Sequence, residues 1–250
     1  HVVCQMLSPM KVQTLVKRSM VAVAAAGFLP TTTHAGPEVE AYIAYADVDM
    51  GFEEGFRNEP AFSRLSYKTD GAVAGVRGRV PVFNLRRLAV RGEFAHSLDL
   101  SGSATDDDWN EAGFISDRST EDLDEDLLIW SVDATFRLFD NDGMFVGGVL
   151  GFQEHQFETE GSNLRYNRFD GLPDRFRVPG NPGTYDVDFS GLRLGAEGGV
   201  TFFSKLSVKG EVLYFPDLEA RSDAFWALRD LRFRQKADGD GLQARVEVAL

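Results

Sequence analysis

From Leu128 to Leu138 the chain reads LIWSVDATFRL: Leu128, Trp130, Val132, Ala134, Phe136 and Leu138 fall on one side, and Ser131, Asp133, Thr135 and Arg137 on the other. A period of two is the signature of a β-strand with two unlike faces. The same pattern recurs in both directions. Upstream, Ala72, Ala74, Val76, Val80 and Val82 oppose Gly71, Gly75, Arg77 and Arg79, and Val90, Phe94, Leu98 and Leu100 oppose Arg91, Glu93, Ser97 and Asp99. Downstream, Leu206, Val208, Val212 and Tyr214 oppose Ser207, Lys209 and Glu211, and Leu242, Ala244, Val246, Val248 and Leu250 oppose Gln243, Arg245 and Glu247. Three further stretches, 39–48, 144–157 and 185–202, alternate less regularly, the last with a bulge expected near Ser190-Gly191. Eight strands are therefore expected.

Their connections alternate in length. Tight turns at Phe83-Asn84-Leu85, Asp140-Asn141-Asp142-Gly143 and Phe203-Ser204-Lys205 follow strands 2, 4 and 6. Long polar segments, 49–66, 101–126, 159–184 and 215–241, follow strands 1, 3, 5 and 7 and are expected as loops. Short turns on one rim and long loops on the other are the pattern of outer-membrane barrels. Periodicity alone does not say which face is inside. In a soluble barrel the apolar face is the core; in a membrane barrel it meets lipid and the charged face lines the interior. On the polar face stand Arg77, Arg79, Arg91, Arg137, Arg193, Lys209 and Arg245 against Glu93, Asp133, Glu197, Glu211 and Glu247. Such a near-balance suits an ion-paired lumen, because buried charges must be paired.

The N-terminus supplies a route to the envelope. Met10, Lys11, Lys17 and Arg18 precede an apolar run, 20–29, and then Thr33-His34-Ala35, which together read as a secretory signal peptide over 10–35. Residues 1–9 read as upstream sequence, and 36–250 as one barrel unit. No run of about 18 apolar residues marks a transmembrane helix. The full chain carries 26 Lys+Arg against 39 Asp+Glu, a net charge of −13. The first 35 residues hold three bases and no acid, so the remainder stands at 23 against 39, or −16. That balance excludes the basic footprint of a nucleic-acid binder. The single cysteine, Cys4, falls in the first 35 residues, and only His96 and His155 lie beyond them, so no metal site and no cofactor are expected.

Chemistry is most densely suggested at Asp106-Asp107-Asp108-Trp109, in the segment after strand 3. Adjacent carboxylates raise one another's pKa and hold a water for general-base work. The acidic run continues through Asp117, Glu121, Asp122, Asp124, Glu125 and Asp126, which equally describes a solvated acidic loop and fits no EF-hand spacing.

Here the chain resembles the omptins, barrel proteases of the Gram-negative outer membrane. The segment 63–72, with Leu65-Ser66-Tyr67-Lys68, is similar to the omptin second strand; Asp106-Asp107-Asp108-Trp109 is similar to the family's Asp-x-Asp-Trp motif; Gly151-Phe152-Gln153-Glu154 is similar to its Gly-Tyr-Gln-Glu. The resemblance implies a barrel whose Asp pair, here Asp106 and Asp108, faces an Asp–His pair that activates water. Asp223 takes the second aspartate position, but no histidine follows residue 155. It also implies contact with outer-membrane lipid, lipopolysaccharide included, around Phe152 and Glu154. Two substitutions weaken that site: phenylalanine replaces the family's tyrosine, and Gln156 stands where a base is needed for phosphate. His155 is expected as a surface polar residue, and Trp130 and Tyr42 either as aromatics of a lipid-facing girdle or as packing groups. Among Arg165, Arg168, Arg175 and Arg177, the one basic cluster, either lipopolysaccharide or the facing acidic segment is the natural partner.

The sequence thus points to an all-β, antiparallel, up-and-down transmembrane barrel of the bacterial outer membrane. Eight strands are visible; the chain is either an eight-stranded barrel or a ten-stranded omptin-like one short of two strands. Its expected role is a non-proteolytic surface barrel, structural or binding, with a peptide or other surface ligand at the extracellular loops as the partner in the binding case. The alternatives are an active omptin-type endopeptidase and a soluble periplasmic calyx with the apolar face inward.

Overall fold

The computed structural model describes residues 17–18, 37–55, 61–82, 87–109, 114–141, 143–168, 176–178, 180, 182–202, 206–227 and 230–249. The expected upstream residues, 1–9, and signal peptide, 10–35, lie outside them apart from Lys17–Arg18, as do the turn residues 83–85, 142 and 203–205. One antiparallel sheet contains every strand. Its eight long members are β1 (Glu38–Gly55), β2 (Ala61–Pro81), β3 (Leu88–Trp109), β4 (Ile115–Asn141), β5 (Met144–Arg168), β6 (Gly183–Phe202), β7 (Leu206–Trp226) and β8 (Leu231–Ala249). Each pairs with its sequence neighbour, which is up-and-down topology, with two short additions: Lys17–Arg18 beside β1 and Phe176–Val178 beside β5. Among the described residues β1 and β8 share no backbone ladder, so the sheet is curled but not closed.

The strands are far longer than the alternating runs suggested, at 18 to 27 residues. The segments expected as long loops are mostly strand. The reason is a reversal of faces along each ribbon. In the half nearest the short turns, apolar side chains point outward: Phe94 is 56% exposed, Leu150 61% and Val246 63%. The interior there is ionic. In the other half the interior is apolar, with Met50, Tyr67, Leu123, Leu127, Phe157, Val187 and Phe189 in one buried cluster. The outer wall of that half carries the acid excess. Asp126 lies opposite Glu158, Glu158 opposite Asp186, and Asp186 opposite Asp223. A strand that swaps its apolar face halfway along shows one continuous template only to its midpoint.

Irregular pairing helps the swap. On β3, Leu98 is 62% exposed and Leu100 1%, because the register slips between His96 and Leu100. The sequence alternation placed both leucines on one face; the extra residue turns Leu100 inward. The bulge expected near Ser190-Gly191 lies instead on the partner strand. Leu192 pairs with Asp217 and Leu194 with Tyr214, leaving Phe215-Pro216 opposite Arg193. Pro216 has no N–H for the ladder, so the bulge forms where pairing is already forfeited.

Two ionic knots fill the lower interior. Asp133 accepts from Arg91 Nε at 2.8 Å and from Arg193 Nε at 2.8 Å and Nη2 at 2.7 Å. Arg91 also contacts Glu211, and Arg193 contacts Gln153. The second knot centres on Glu93, which accepts from Arg77 at 3.2 Å and Arg245 at 3.1 Å, while Arg77 also meets Glu247. Tyr42 donates to Glu93 as well, so it is an interior residue and not a girdle aromatic. Trp130 and Phe136 face outward, with Phe136 43% exposed, so this half is not the calyx with an oily middle.

Candidate binding cleft

The apolar upper interior opens into a cleft of about 240 Å³ at the end remote from the short turns. Seven strands, β2 to β8, contribute to its lining. The aspartates expected to carry chemistry, Asp106 and Asp108, are both there, two residues apart on β3 and therefore on one face. Asp107, between them, points the other way and is held by Arg118 Nη2 at 2.8 Å. Ser63 on β2 donates to Asp106 at 3.5 Å. Burial is the main cause that pushes the Asp106 carboxyl up to about 7, with the charges of Asp108, Asp107 and Glu121 adding to it.

Asp223 is not brought to that pair. Its neighbours Ser222 and Ala224 line the cleft, whereas Asp223 lies on the outer wall in ion pairs with Arg234 at 2.9 Å and Arg232 at 3.6 Å. The two-residue bulge at Phe215-Pro216 sets which residues of β7 point inward here. Neither histidine of the described residues lines the cleft. His96 is on the outer face, its Nδ1 2.6 Å from the Ser97 carbonyl oxygen. His155, expected at the surface, is buried to 4% exposure between the ionic knot and the apolar cluster, in contact with Gln153 and near Phe157. Its alternation with Gln153 and Phe157 puts it on the inner face.

Phe152 and Glu154 face outward at the upper border of the apolar belt. Phe152 packs against Trp130 with ring centroids 5.4 Å apart. Glu154 accepts from Gln156 Nε2 at 2.7 Å. No lysine or arginine forms an ion pair with Glu154 among the described residues, and burial, with the charge of Glu154 added, raises the Asp188 carboxyl. In the basic cluster, Arg165 meets Asp122 at 2.9 Å, while Arg175 and the side chain of Arg168 lie outside the described residues.

Three groups of the cleft were not expected as site residues from the sequence: Glu121, Tyr185 and Tyr67. Tyr185 donates to Glu121 Oε1 at 2.8 Å and meets Tyr67 edge-on, with centroids 5.2 Å apart and planes at 71°. Burial pushes the Glu121 carboxyl up to about 7, opposed only by the Tyr185 hydrogen bond. A signal for Glu121 was present. Counting back by twos from Asp133 through Ser131, Ile129, Leu127, Glu125 and Leu123 reaches Glu121, so it shares the phase of the inner face.

The fold is that of a solved outer-membrane barrel. The chain superposes on the crystal structure of the outer membrane protease OmpT from Escherichia coli with a TM-score of 0.69, over 92% of this chain and 78% of that one, at 13% sequence identity. No protein-family model and no curated protein matches the sequence. At such identity the likeness is one of fold. It agrees in kind with the resemblance carried by the Asp106–Trp109 motif, and residue roles do not follow from it.

Proposed function

We propose that this protein is an outer-membrane β-barrel whose cleft, at the extracellular end, binds a surface ligand without cleaving it. The observation that carries the reading is the arrangement of faces. Apolar side chains stand outward around the half with the short turns, over an interior of paired charges. In water that arrangement exposes the oil and buries the ions; in a bilayer both are in their preferred place. Crossing hydrocarbon takes about 9–11 residues of a tilted strand. Strands of 18 to 27 residues therefore leave about half their length outside, which is the acid-walled half that holds the cleft. The short turns, the start of β1 and the end of β8 then lie on the periplasmic side.

Binding is favoured over cleavage because no imidazole of the described residues lines the cleft. General acid–base assistance is worth about 10²–10⁴ in rate, and the two histidines of the described residues lie elsewhere. One observation supports the endopeptidase reading: Asp106, raised to about 7 beside Asp108, has the pKa of a working base near neutrality. One experiment separates the readings. The protein is expressed in a Gram-negative host, the outer membrane is isolated, and mobility in detergent gels is compared with and without boiling. Recovery in that membrane with heat-shifted mobility is expected, together with no cleavage of a dibasic peptide. A freely soluble periplasmic product overturns the barrel in the membrane. Cleavage that Asp106→Asn abolishes replaces binding with proteolysis.

A further inference from the structure

His155 is a buried titratable group to which neither the cleft nor the lipid face gives a role. It stands on the inner face of β5, where the Asp133 knot meets the apolar cluster. A line of hydrogen bonds fixes its protonation state. Asp133 accepts from Arg193 Nε at 2.8 Å and Nη2 at 2.7 Å, Arg193 Nη1 donates to Gln153 Oε1, and Gln153 Nε2 meets His155 Nε2. A guanidinium only donates, so the Gln153 amide turns its oxygen to Arg193 and its NH2 to the imidazole. The NH2 donates too. His155 Nε2 therefore accepts, which makes the ring neutral with its proton on Nδ1.

Strand phase and pairing set the charged and titratable groups around it. From β4 come Glu125, which accepts from Thr69 at 3.1 Å, and Asp133. From β6 come Arg193 and Tyr185, the latter donating to Glu121. Across the lumen are Arg91 and Glu93 of β3, the second accepting from Tyr42 of β1 and Arg77 of β2. A second proton on the ring makes Nε2 a donor aimed at a donor. The amide relieves that by turning over, and its NH2 then faces Arg193, which has no acceptor to offer. A protonated His155 and the Gln153–Arg193 hydrogen bond exclude one another.

We propose that His155 is a proton-operated latch on the plug of the lumen. Neutral, it completes the line that runs through Gln153 and Arg193 to Asp133. Protonated, it breaks that line and loosens the knot that joins β3, β4 and β6. The closed plug takes only the neutral ring, so by linkage acid favours the loosened lumen. Acid acts in the opposite sense on Asp106 and Glu121, whose carboxyls burial raises to about 7, so the two effects are separable by sign. The inference goes beyond the cleft and its ligand and rests on the barrel reading alone.

The test uses the full chain. Nitrogen-15 spectra of the histidine rings in micelles read the tautomer, and ion conductance in planar lipid bilayers reads the plug. Both run from about pH 7.5 to about pH 4.5, across the ordinary range of histidine. At the upper end the signals that His155→Gln removes are expected to be those of an Nδ1–H tautomer. Conductance is expected to rise severalfold as the ring takes its second proton. His155→Gln offers Gln153 an acceptor and does not titrate, and should stay closed throughout. Gln153→Glu gives Arg193 and the ring an acceptor each, and should move the rise to higher pH. An Nε2–H tautomer at the upper end overturns the latch. So does a conductance that is flat in the wild type, that rises equally in His155→Gln, or that keeps the wild-type pH dependence in Gln153→Glu. A wild type without heat-shifted mobility fails as a barrel, and the latch falls with that reading; the gel separates this outcome from the others.

Discussion

Glu121 and Asp106 are acids kept in an apolar cleft, and at the scale of the residue that makes them pH-sensitive. Their carboxyls move from 4.5 and 3.8 to about 7, in both cases mainly through burial. Between the unfolded and folded values each group is ionised in the unfolded chain and protonated in the folded one. The folded state then binds more protons, so stability falls as pH rises through that window and levels off above about 7. Urea midpoints in micelles at about pH 5 and about pH 8 should show this loss. The double variant Asp106→Asn, Glu121→Gln should remove most of it and gain about 1–3 kcal/mol at the higher pH. An unchanged pH dependence in the double variant would place the titrating groups elsewhere. Asp106 and Asp108 were legible from sequence because they sit in a compact motif. Glu121 was not, since its neighbours Asp122, Asp124 and Asp126 are outward-facing acids and the whole run reads as solvated.

At the scale of the element, all eight long strands were visible in the alternation, but only as far as the face reversal. β4 shows why. Trp130 to Leu138 alternate apolar-out over Asp133 and Arg137, while the same strand beyond Leu127 alternates apolar-in, with Leu123 and Leu127 buried and Asp124 and Asp126 exposed. The parity is continuous; only the chemistry of each face has changed. A search for one greasy face stops there and calls the remainder loop. On β3 the change also takes a slipped register between His96 and Leu100, beside Gly71 on β2, which pairs with Leu100. A Cβ at Gly71 would overlap the Asp99 carbonyl oxygen, whereas one at Gly51 meets nothing within 4 Å. Gly71→Val should therefore cost about 1–3 kcal/mol through overpacking, and Gly51→Val should stay within about 0.5 kcal/mol. Denaturant midpoints of the two variants in micelles decide it; equal midpoints would mean that the bulge shifts freely and does not need the glycine.

At the scale of the whole molecule, what holds the curl together is ionic as well as backbone. β1 and β8 share no ladder among the described residues, yet Arg245 of β8 binds Glu93 of β3, and Glu247 of β8 meets Arg77 of β2. The Asp133 knot joins β3, β4 and β6, with a side chain 0% exposed at its centre, and reaches β7 through Glu211. Removing one member of a buried cluster costs about 3–5 kcal/mol because the others are left charged and unpaired; replacing the cluster whole with apolar groups is often neutral or stabilising. Asp133→Ala strands Arg193 and leaves Arg91 to Glu211 and Glu197, and should be destabilised by that amount. The triple replacement Arg91→Met, Asp133→Leu, Arg193→Met removes the central charges but leaves Glu211 and Glu197 without Arg91, and should recover most of the loss when Glu211→Gln and Glu197→Gln are added. Tryptophan fluorescence during urea unfolding from micelles measures both. If Asp133→Ala unfolds at the wild-type midpoint, the lumen is wet enough to solvate the arginines, and the interior is an aqueous channel and not a plug.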